Sequence, residues 1–386
     1  MFSTLELDIR PGSGIGMFEL GSSLWSVISA LRTLQHLFPQ VEVKFDLENT
    51  STTPVILHLR PYFDLLFSAY HQRLHTICLR KPRDPHPLVS LRYKDSIICS
   101  GEEPLVKIKI SRTFGPTYPG DELRYPGVWF SFDDDTVSEG LRGSSSHAIA
   151  DNRSKEVKRI IVTQKDAQDA GRDPLDEVTL CPAMYGDISR AIVKVNNGVV
   201  LHFYGPSGPS TSSLYIRLGE TTAQDLNIDL GTPSRIYYKD DERMAIHSPS
   251  PQLEEESQST DYFYNYFSHG IDFLISGQTH LVRKIILHSN VPGSPLFQQY
   301  KRCPWELEGK PEDDEDDSPP RMRFTDKFEA ISHFLSPRDP PPSMVHDRTE
   351  YEDNITLPSP TSRLHGYDGV ILEVNEASQV VAVMIF

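Results

Sequence analysis

The chain has 386 residues and a formal net charge of −16, with 38 lysines and arginines against 54 aspartates and glutamates. This acidity argues against general nucleic-acid binding and against broad docking on an anionic membrane. The length predicts about two to three globular domains, and no apolar stretch approaches the ~20 residues that span a bilayer. Four scattered cysteines without a Cys-x-x-Cys pair predict reduced thiols and a cytoplasmic protein.

The first elements along the chain are a predicted helix and a predicted hairpin. Apolar residues recur at helical spacing over Leu24–Leu31, and Ser22 or Ser23 can act as the N-cap. Two apolar runs within residues 63–79 flank a polar turn at 68–71, which is the pattern of a β-hairpin.

This pattern returns along the chain with constant offsets. An offset of 99 pairs Gly270 with Gly369 and Leu287 with Phe386, so Phe386 is predicted to be a core strand residue. A helix or a strand is predicted near 105–113, upstream of the second hairpin. Helices are predicted near 222–230 and 328–335, upstream of the third and fourth hairpins. The four hairpins are residues 63–79, residues 127–132 with 157–162, residues 270–287 and residues 369–386.

We therefore predict an α+β fold of repeated helix-plus-antiparallel-hairpin units that form packed antiparallel sheets. The alternative is that any antiparallel protein contains similar hairpins by chance. The predicted segments are 1–100, 101–170 with an inserted polar loop at 133–156, 171–305 as a strand-rich segment with the third unit, and 306–386 as an acidic, proline-rich linker with the fourth. The acidic run in 306–321 repels itself and predicts a solvated insertion.

No sequence motif predicts catalysis, a cofactor or a metal. Gly12–Gly16 lacks the Lys-Ser/Thr of a phosphate-binding loop and is interpreted as a turn. His280 and His288 lie on one hairpin without a third ligand at a defined spacing, which favours structural or surface roles. We expect a protein that is not an enzyme.

The segment from Gly231 to Phe267 is the most distinctive part of the chain. Five of the six residues at positions 262–267 are aromatic, and the exception is Asn265. This is a larger number of aromatic side chains than one buried strand face needs. Two interpretations remain open: a strand covered on both faces by its own fold, or a recognition surface. The candidate partner or lipid surface comprises Arg235, Lys239, Arg243, Arg283, Lys284, Tyr262, Tyr264 and Tyr266. Its cations fit phosphate groups, and they fit ion pairs with nearby acids equally well.

These residues resemble those of the phagosome assembly factor 1 family. The resemblance extends from about Leu5 to Phe386 and departs from the family pattern in the insertions at 133–156 and 306–321. The matching motifs are 231–239, 246–251, 261–272, 287–293, Phe114–Gly120, Gly127–Phe132, Arg302-Cys303 and Gln72–Leu74.

The resemblance implies a non-enzymatic autophagy adaptor that acts with a β-propeller partner at the phagophore assembly site, with phosphoinositide-dependent membrane association. The alternative function is a Golgi or vesicle-trafficking scaffold, and a hydrolase with an unrecognised site is a third. A pull-down separates the first two, through recovery of a propeller-bearing autophagy protein or of coat and tether subunits.

Overall fold

A computed structural model of the chain describes residues 5–46, 49, 53–80, 82, 89–101, 103–117, 122–132, 155–165, 177–206, 208–239, 260–309, 319–336, 341–347 and 361–386. The chain divides into two compact units. Unit 1 contains Met1–Asp46 and Thr52–Ala183, and unit 2 contains Leu47–Ser51 and Met184–Phe386.

The described residues are mostly β-structure, with 25 strands and four α-helices. The predicted α+β class of repeated helix-plus-hairpin units is therefore wrong. The physical reason is the size of the helices. Three of them have only eight, seven and eight residues, and each buries one or two side chains, such as Ile110 and Ile331. Helices this small cannot form half of a core, so the strands supply most of it.

Unit 1 contains two sheets and two helices. The five-stranded sheet has the order β3-β2-β1-β8-β9, and the seven-stranded sheet has the order β10-β11-β12-β7-β6-β5-β4. The elements are β1 (Leu5–Arg10), β2 (Gly14–Ile15), β3 (Phe18–Glu19), α1 (Leu24–Thr33), β4 (Gln40–Lys44), β5 (Val55–Arg60), β6 (Phe63–Phe67), β7 (Leu74–Arg80), β8 (Val89–Tyr93), β9 (Ser96–Cys99), α2 (Lys107–Phe114), β10 (Leu123–Tyr125), β11 (Val128–Ser131) and β12 (Arg159–Thr163).

Unit 2 also contains a smaller and a larger sheet. Their orders are β15-β14-β13-β20-β21 and β16-β17-β18-β19-β25-β24-β23-β22. The elements are β13 (Ile188–Lys194), β14 (Gly198–Gly205), β15 (Gly208–Arg217), α3 (Ala223–Asp229), β16 (Arg235–Tyr238), β17 (Tyr262–Tyr266), β18 (Ile271–Ile275), β19 (Val282–His288), β20 (Trp305–Glu308), β21 (Arg321–Arg323), α4 (Phe328–Leu335), β22 (Ser343–Asp347), β23 (Thr361–Tyr367), β24 (Val370–Val374) and β25 (Val380–Ile385).

The two units share one strand order. β1 to β9 correspond in order to β13 to β21, and β10 to β12 correspond in order to β23 to β25. Unit 2 has one added edge strand, β22. Each smaller sheet contains one parallel pair, β1 with β8 and β13 with β20, while the larger sheets are antiparallel throughout.

The core follows the two-residue period of the strands. In β18, Ile271, Phe273 and Ile275 are buried. Leu226 of α3 is also buried, and the N-terminus of α3 is closed by a capping box between Thr222 and Asp225. Burial patterns in β5 and β6 alternate in the same way. Alternation on this scale is what a sheet with one covered face requires.

The prediction that Phe386 is a core residue equivalent to Leu287 is wrong. Leu287 is fully buried, but the side chain of Phe386 is 47% exposed. β25 ends at Ile385, which faces Val370 and Ile285 across its two neighbours and fills the core position itself. Phe386 follows it by one residue and therefore belongs to the other face of the sheet.

Several other predictions concern connections. Within the predicted strand-rich segment 171–305, residues 178–181 are irregular and lead into a 3-10 turn at Pro182–Met184. Most of the predicted insertions, residues 133–154 and 310–318, lie outside the described residues. The four predicted segments remain a prediction. Among the described helices, none has the length and apolar character needed to cross a membrane.

Candidate functional site

The tyrosines at positions 262, 264 and 266 lie on the covered face of the larger sheet in unit 2. The Tyr266 hydroxyl donates to the Gly231 carbonyl at 2.9 Å, and the Tyr262 hydroxyl lies 2.9 Å from His280 Nδ1. The Tyr264 hydroxyl accepts from the Asn227 side chain of α3 at 3.5 Å. Burial raises the pKa values of Tyr262 and Tyr266 above the usual range for tyrosine. These tyrosines pack on their own fold, as the first of the two open interpretations expects.

The opposite face carries a row of side chains that continues across five strands. The strand register places Tyr237 opposite Phe263, Phe263 opposite Leu274, and Leu274 opposite Lys284. Lys284 Nζ then lies 5.8 Å from the ring centroid of Phe386. None of the five is buried, and Tyr237 is 49% exposed. We call Tyr237, Phe263, Leu274, Lys284 and Phe386 the aromatic row.

Three further cations border the aromatic row. Arg235 and Lys239 are exposed at the two ends of β16, and the Arg235 guanidinium lies 5.4 Å from the Tyr237 ring centroid. Arg283 pairs with Asp261 at 2.9 Å in an exposed ion pair. With Lys284, four cations border or belong to this surface in a chain whose net charge is −16. Arg243, the fifth predicted cation, lies outside the described residues.

Lys284 is held where its charge is disfavoured. Burial, and then repulsion from Lys239, lowers the pKa of the Lys284 ammonium below its ordinary value. Among the described residues it has no acidic partner, and its ammonium group lies 5.8 Å from the centroid of the Phe386 ring, whose face carries a partial negative charge. An anionic ligand beside this lysine would offset both penalties through its attraction to the ammonium group.

A buried polar cluster closes this face beyond the aromatic row. Asp272 accepts hydrogen bonds from the Asn265 side chain at 2.8 Å and the Tyr300 hydroxyl at 2.7 Å, and its other contact is His288 Nε2 at 2.9 Å. The His288 and Tyr300 rings stack with centroids 3.7 Å apart. The cluster is enclosed, so its role is to hold β17, β18 and β19 in register beside the exposed row.

The described histidines and carboxylates do not assemble a metal centre. Among residues the structure describes, no group of three or more His, Cys, Asp or Glu side chains is placed to hold a metal ion. His280 and His288, the two histidines considered from sequence, contact Tyr262 and Asp272 respectively.

Sequence reasoning identified the cations of this surface and missed its apolar members. Arg235, Lys239, Arg283 and Lys284 lie together, whereas Tyr262, Tyr264 and Tyr266 point away from them. The missed residues Phe263 and Leu274 alternate with those tyrosines and core residues, and this alternation was the available signal. The position of Lys284 was harder to find, because a register shift between Leu274 and Ile275 decides which residue it faces.

Comparison with known proteins places nearly all of the chain in one family. The sequence profile of phagosome assembly factor 1 matches residues 14–386. A PHAF1 protein of Arabidopsis thaliana is 25% identical over 98% of this chain and 92% of its own length. PHAF1 proteins of Drosophila melanogaster and Caenorhabditis elegans are 26% and 24% identical, over 99% and 96% of this chain and 94% and 90% of their own lengths. No solved structure matches the chain. The chain belongs to the phagosome assembly factor 1 family.

Proposed function

We propose that this protein is a non-enzymatic adaptor in phagosome and autophagosome assembly. It works with a β-propeller partner at the phagophore assembly site, and the aromatic row contributes to phosphoinositide-dependent membrane association of that complex. The family match over residues 14–386 is the single observation that carries the assembly role.

The aromatic row and its cations support the membrane contact. Exposed aromatic rings and aliphatic side chains suit the boundary between lipid headgroups and acyl chains, while lysine and arginine bind phosphate. Tyr237, Phe263 and Phe386 supply the rings, and Lys239, Arg283 and Lys284 supply the charge within the same surface.

The net charge predicts that this contact is weak in the isolated chain. A charge of −16 repels an anionic surface at long range, so four local cations hold the membrane only when a partner brings them close. A two-component membrane contact is therefore the form of recruitment that fits the charge distribution.

Liposome flotation with phosphoinositide tests the membrane contact. The double variant Arg283→Glu/Lys284→Glu is compared with Arg92→Glu/Lys94→Glu, which changes the charge equally at exposed cations of unit 1. We expect the first variant to lose most flotation of the complex and the second to retain it. Strong flotation of the protein alone, unaffected by the first variant, would place the membrane contact elsewhere.

A pull-down from starved cells tests the adaptor role. Recovery of a propeller-bearing autophagy protein, together with colocalisation at phagophore assembly sites, is the expected result. Recovery of Golgi coat or tether subunits without any autophagy protein would contradict it.

A further inference from the structure

The outer edge of β16 presents backbone groups that no described strand pairs with. β16 is the last strand of its sheet and pairs only with β17. The Lys239 N–H donates to the Asp261 carbonyl, and hydrogen-bonded positions alternate along an antiparallel pair. The N–H and C=O groups of Ile236 and Tyr238 therefore point away from β17, toward the open edge.

The two faces of this edge differ chemically. On the face of α3, a cleft of ≈410 Å³ is lined mainly by Ile236, Tyr238, Tyr262, Tyr264 and His280. Tyr238, on the edge itself, is 59% exposed. On the other face stand Arg235, Tyr237 and Lys239. An added strand would thus meet an aromatic cleft with every second side chain and cations with the others.

The charge of the edge selects its occupant. Neither Arg235 nor Lys239 forms an ion pair with any residue in the described ranges, and both are exposed. Cations at both ends of an edge strand complement an acidic segment. They oppose a second copy of β16. When Ile236 of one copy pairs with Tyr238 of the other, Arg235 faces Lys239, and like charges directly opposite each other destabilise a sheet.

We propose that the β16 edge binds an extended segment of a partner protein, with acidic and apolar residues alternating, as an added β-strand. The backbone of Ile236 and Tyr238 forms the hydrogen bonds. The apolar side chains of the partner enter the tyrosine cleft, and its carboxylates meet Arg235 and Lys239. The membrane contact proposed above shares Arg235, Tyr237 and Lys239 with this edge, so Ile236→Pro, which leaves all three and also Lys284 and Phe386 in place, separates the two proposals.

Fluorescence anisotropy of the full chain with a labelled octapeptide of alternating glutamate and isoleucine tests the proposal. Ile236→Pro removes the outward N–H and leaves the bonds of positions 235, 237 and 239 to β17 intact. We expect it to weaken binding about tenfold, against a smaller loss for Ile236→Ala, which keeps the N–H. Arg235→Glu/Lys239→Glu should abolish binding.

A modified peptide keeps the test decisive if Ile236→Pro disturbs the fold. The same octapeptide N-methylated at alternate amides has unchanged charge and side chains but cannot pair along one edge. Loss of its binding, with protection of the Ile236 and Tyr238 amides from hydrogen exchange by the unmethylated peptide, supports strand addition.

Three results would overturn the proposal. The first is equal binding of the methylated and unmethylated peptides. The second is failure of the unmethylated peptide to bind the wild-type chain. The third is a dimer of the free chain, in analytical ultracentrifugation, that Ile236→Pro dissociates, since a second copy would then occupy the edge.

Discussion

The two larger sheets carry a row of side chains at equivalent positions, and the residues in this row differ between the two units. The strand framework is shared, whereas the surface that it presents is not. In unit 1 the row crosses β4, β5, β6, β7 and β12, and in unit 2 it crosses β16 to β19 and reaches the end of β25. The unit 1 row is Lys44, Ile56, Leu66, Thr76 and Thr163, and the unit 2 row is Tyr237, Phe263, Leu274, Lys284 and Phe386. The same strand order thus carries a row without aromatic side chains in unit 1 and a basic, aromatic row in unit 2.

The edge strands at the ends of these rows differ in the same direction. In β4, Glu42 pairs with Arg60 of β5 at 3.3 Å, so the edge carries charges that neutralise each other. Charged side chains of this kind protect an edge from unwanted pairing. In β16, the exposed residues are Ile236, Tyr237, Tyr238 and Arg235, and Arg235 has no ion pair among the described residues. This difference is why the two proposed binding surfaces are placed in unit 2 and not assigned to the shared topology.

Removing the two carboxylates at equivalent positions, Asp272 and Asp64, should give the largest difference between the units. Asp272→Ala leaves Asn265, His288 and Tyr300 without their shared acceptor, and we expect a loss of about 3–5 kcal/mol in the free energy of unfolding. Asp64, the unit 1 counterpart, contacts His58 and Arg80 and is more exposed. Asp64→Ala should therefore lose only about 1–2 kcal/mol.

Urea denaturation, with hydrogen exchange to assign the loss to β6 or β18, measures this difference. Equal losses in the free energy of unfolding at the two positions would show that the polar cluster around Asp272 stabilises unit 2 no more than Asp64 stabilises unit 1.

Exchanging the rows should have the next largest effect, on membrane binding. Tyr237→Lys/Phe263→Ile/Lys284→Thr gives unit 2 the unit 1 residues at three of the five positions without changing the net charge. Because two of the three rings and the half-buried lysine are lost, we expect flotation of the complex on phosphoinositide liposomes to fall severalfold. Lys44→Tyr/Ile56→Phe/Thr76→Lys in unit 1 is the matched control and should leave flotation at the wild-type level. A similar fall for both variants would contradict the distinction between the rows.

Lys284→Thr alone should raise stability slightly. The folded-state pKa of Lys284 is lowered from 10.5, so its charge opposes folding at neutral pH. This opposition fades as the pH rises through the folded-state pKa toward the unfolded value. The variant should therefore melt about 1 °C higher at pH 7, with the advantage disappearing in alkaline buffer. Differential scanning calorimetry at both pH values checks the sign, and a variant that melts lower at pH 7 would refute it.

The smallest expected effect concerns acid stability. Burial, and then Lys301, lowers the pKa of His269 from 6.5. Since the unfolded chain takes up this proton first, unit 2 should lose stability as the pH falls below about 6.5 toward the folded-state pKa. His269→Gln should lose less stability over this window. The β5–β6 turn of unit 1, Pro61 and Tyr62, has no histidine and should lack the effect. Melting temperatures from pH 7.5 to 5 test this, and identical curves for both proteins would contradict it.

Local features of the fold were predictable because their causes are local. Apolar runs at 271–275 and 282–287 predict strands, and β18 and β19 occupy them. Ser23 and Thr222 accept hydrogen bonds at helix starts as serine and threonine do. The fold class was missed because short strands such as β2, β3 and β21 have too few residues to show a period, and because parallel pairing of β13 with β20 is a long-range choice.

The charged residues of the candidate site could be predicted from the sequence, but the aromatic side chains that lie beside them could not. Lysines and arginines are visible in any sequence, so Arg283 and Lys284 could be proposed. The face that each aromatic side chain takes depends on register, and a one-residue shift exchanges the faces. Tyr262 and Phe263 are adjacent and chemically similar, yet one is buried beside His280 and the other belongs to the exposed row. Phe386 was misplaced for the same reason.

The position of β25 in its sheet also determines the order in which unit 2 is able to fold during synthesis. β25 lies between β19 and β24, in the interior of the eight-stranded sheet, although it follows both in the sequence. Until Val380–Ile385 has left the ribosome, β19 has an unpaired edge that exposes Val282, Ile285 and Leu287. An apolar edge left open in this way pairs readily with other nascent chains. Unit 2 is therefore open to such pairing until a late point of synthesis, whereas the last described strand of unit 1 ends at Thr163.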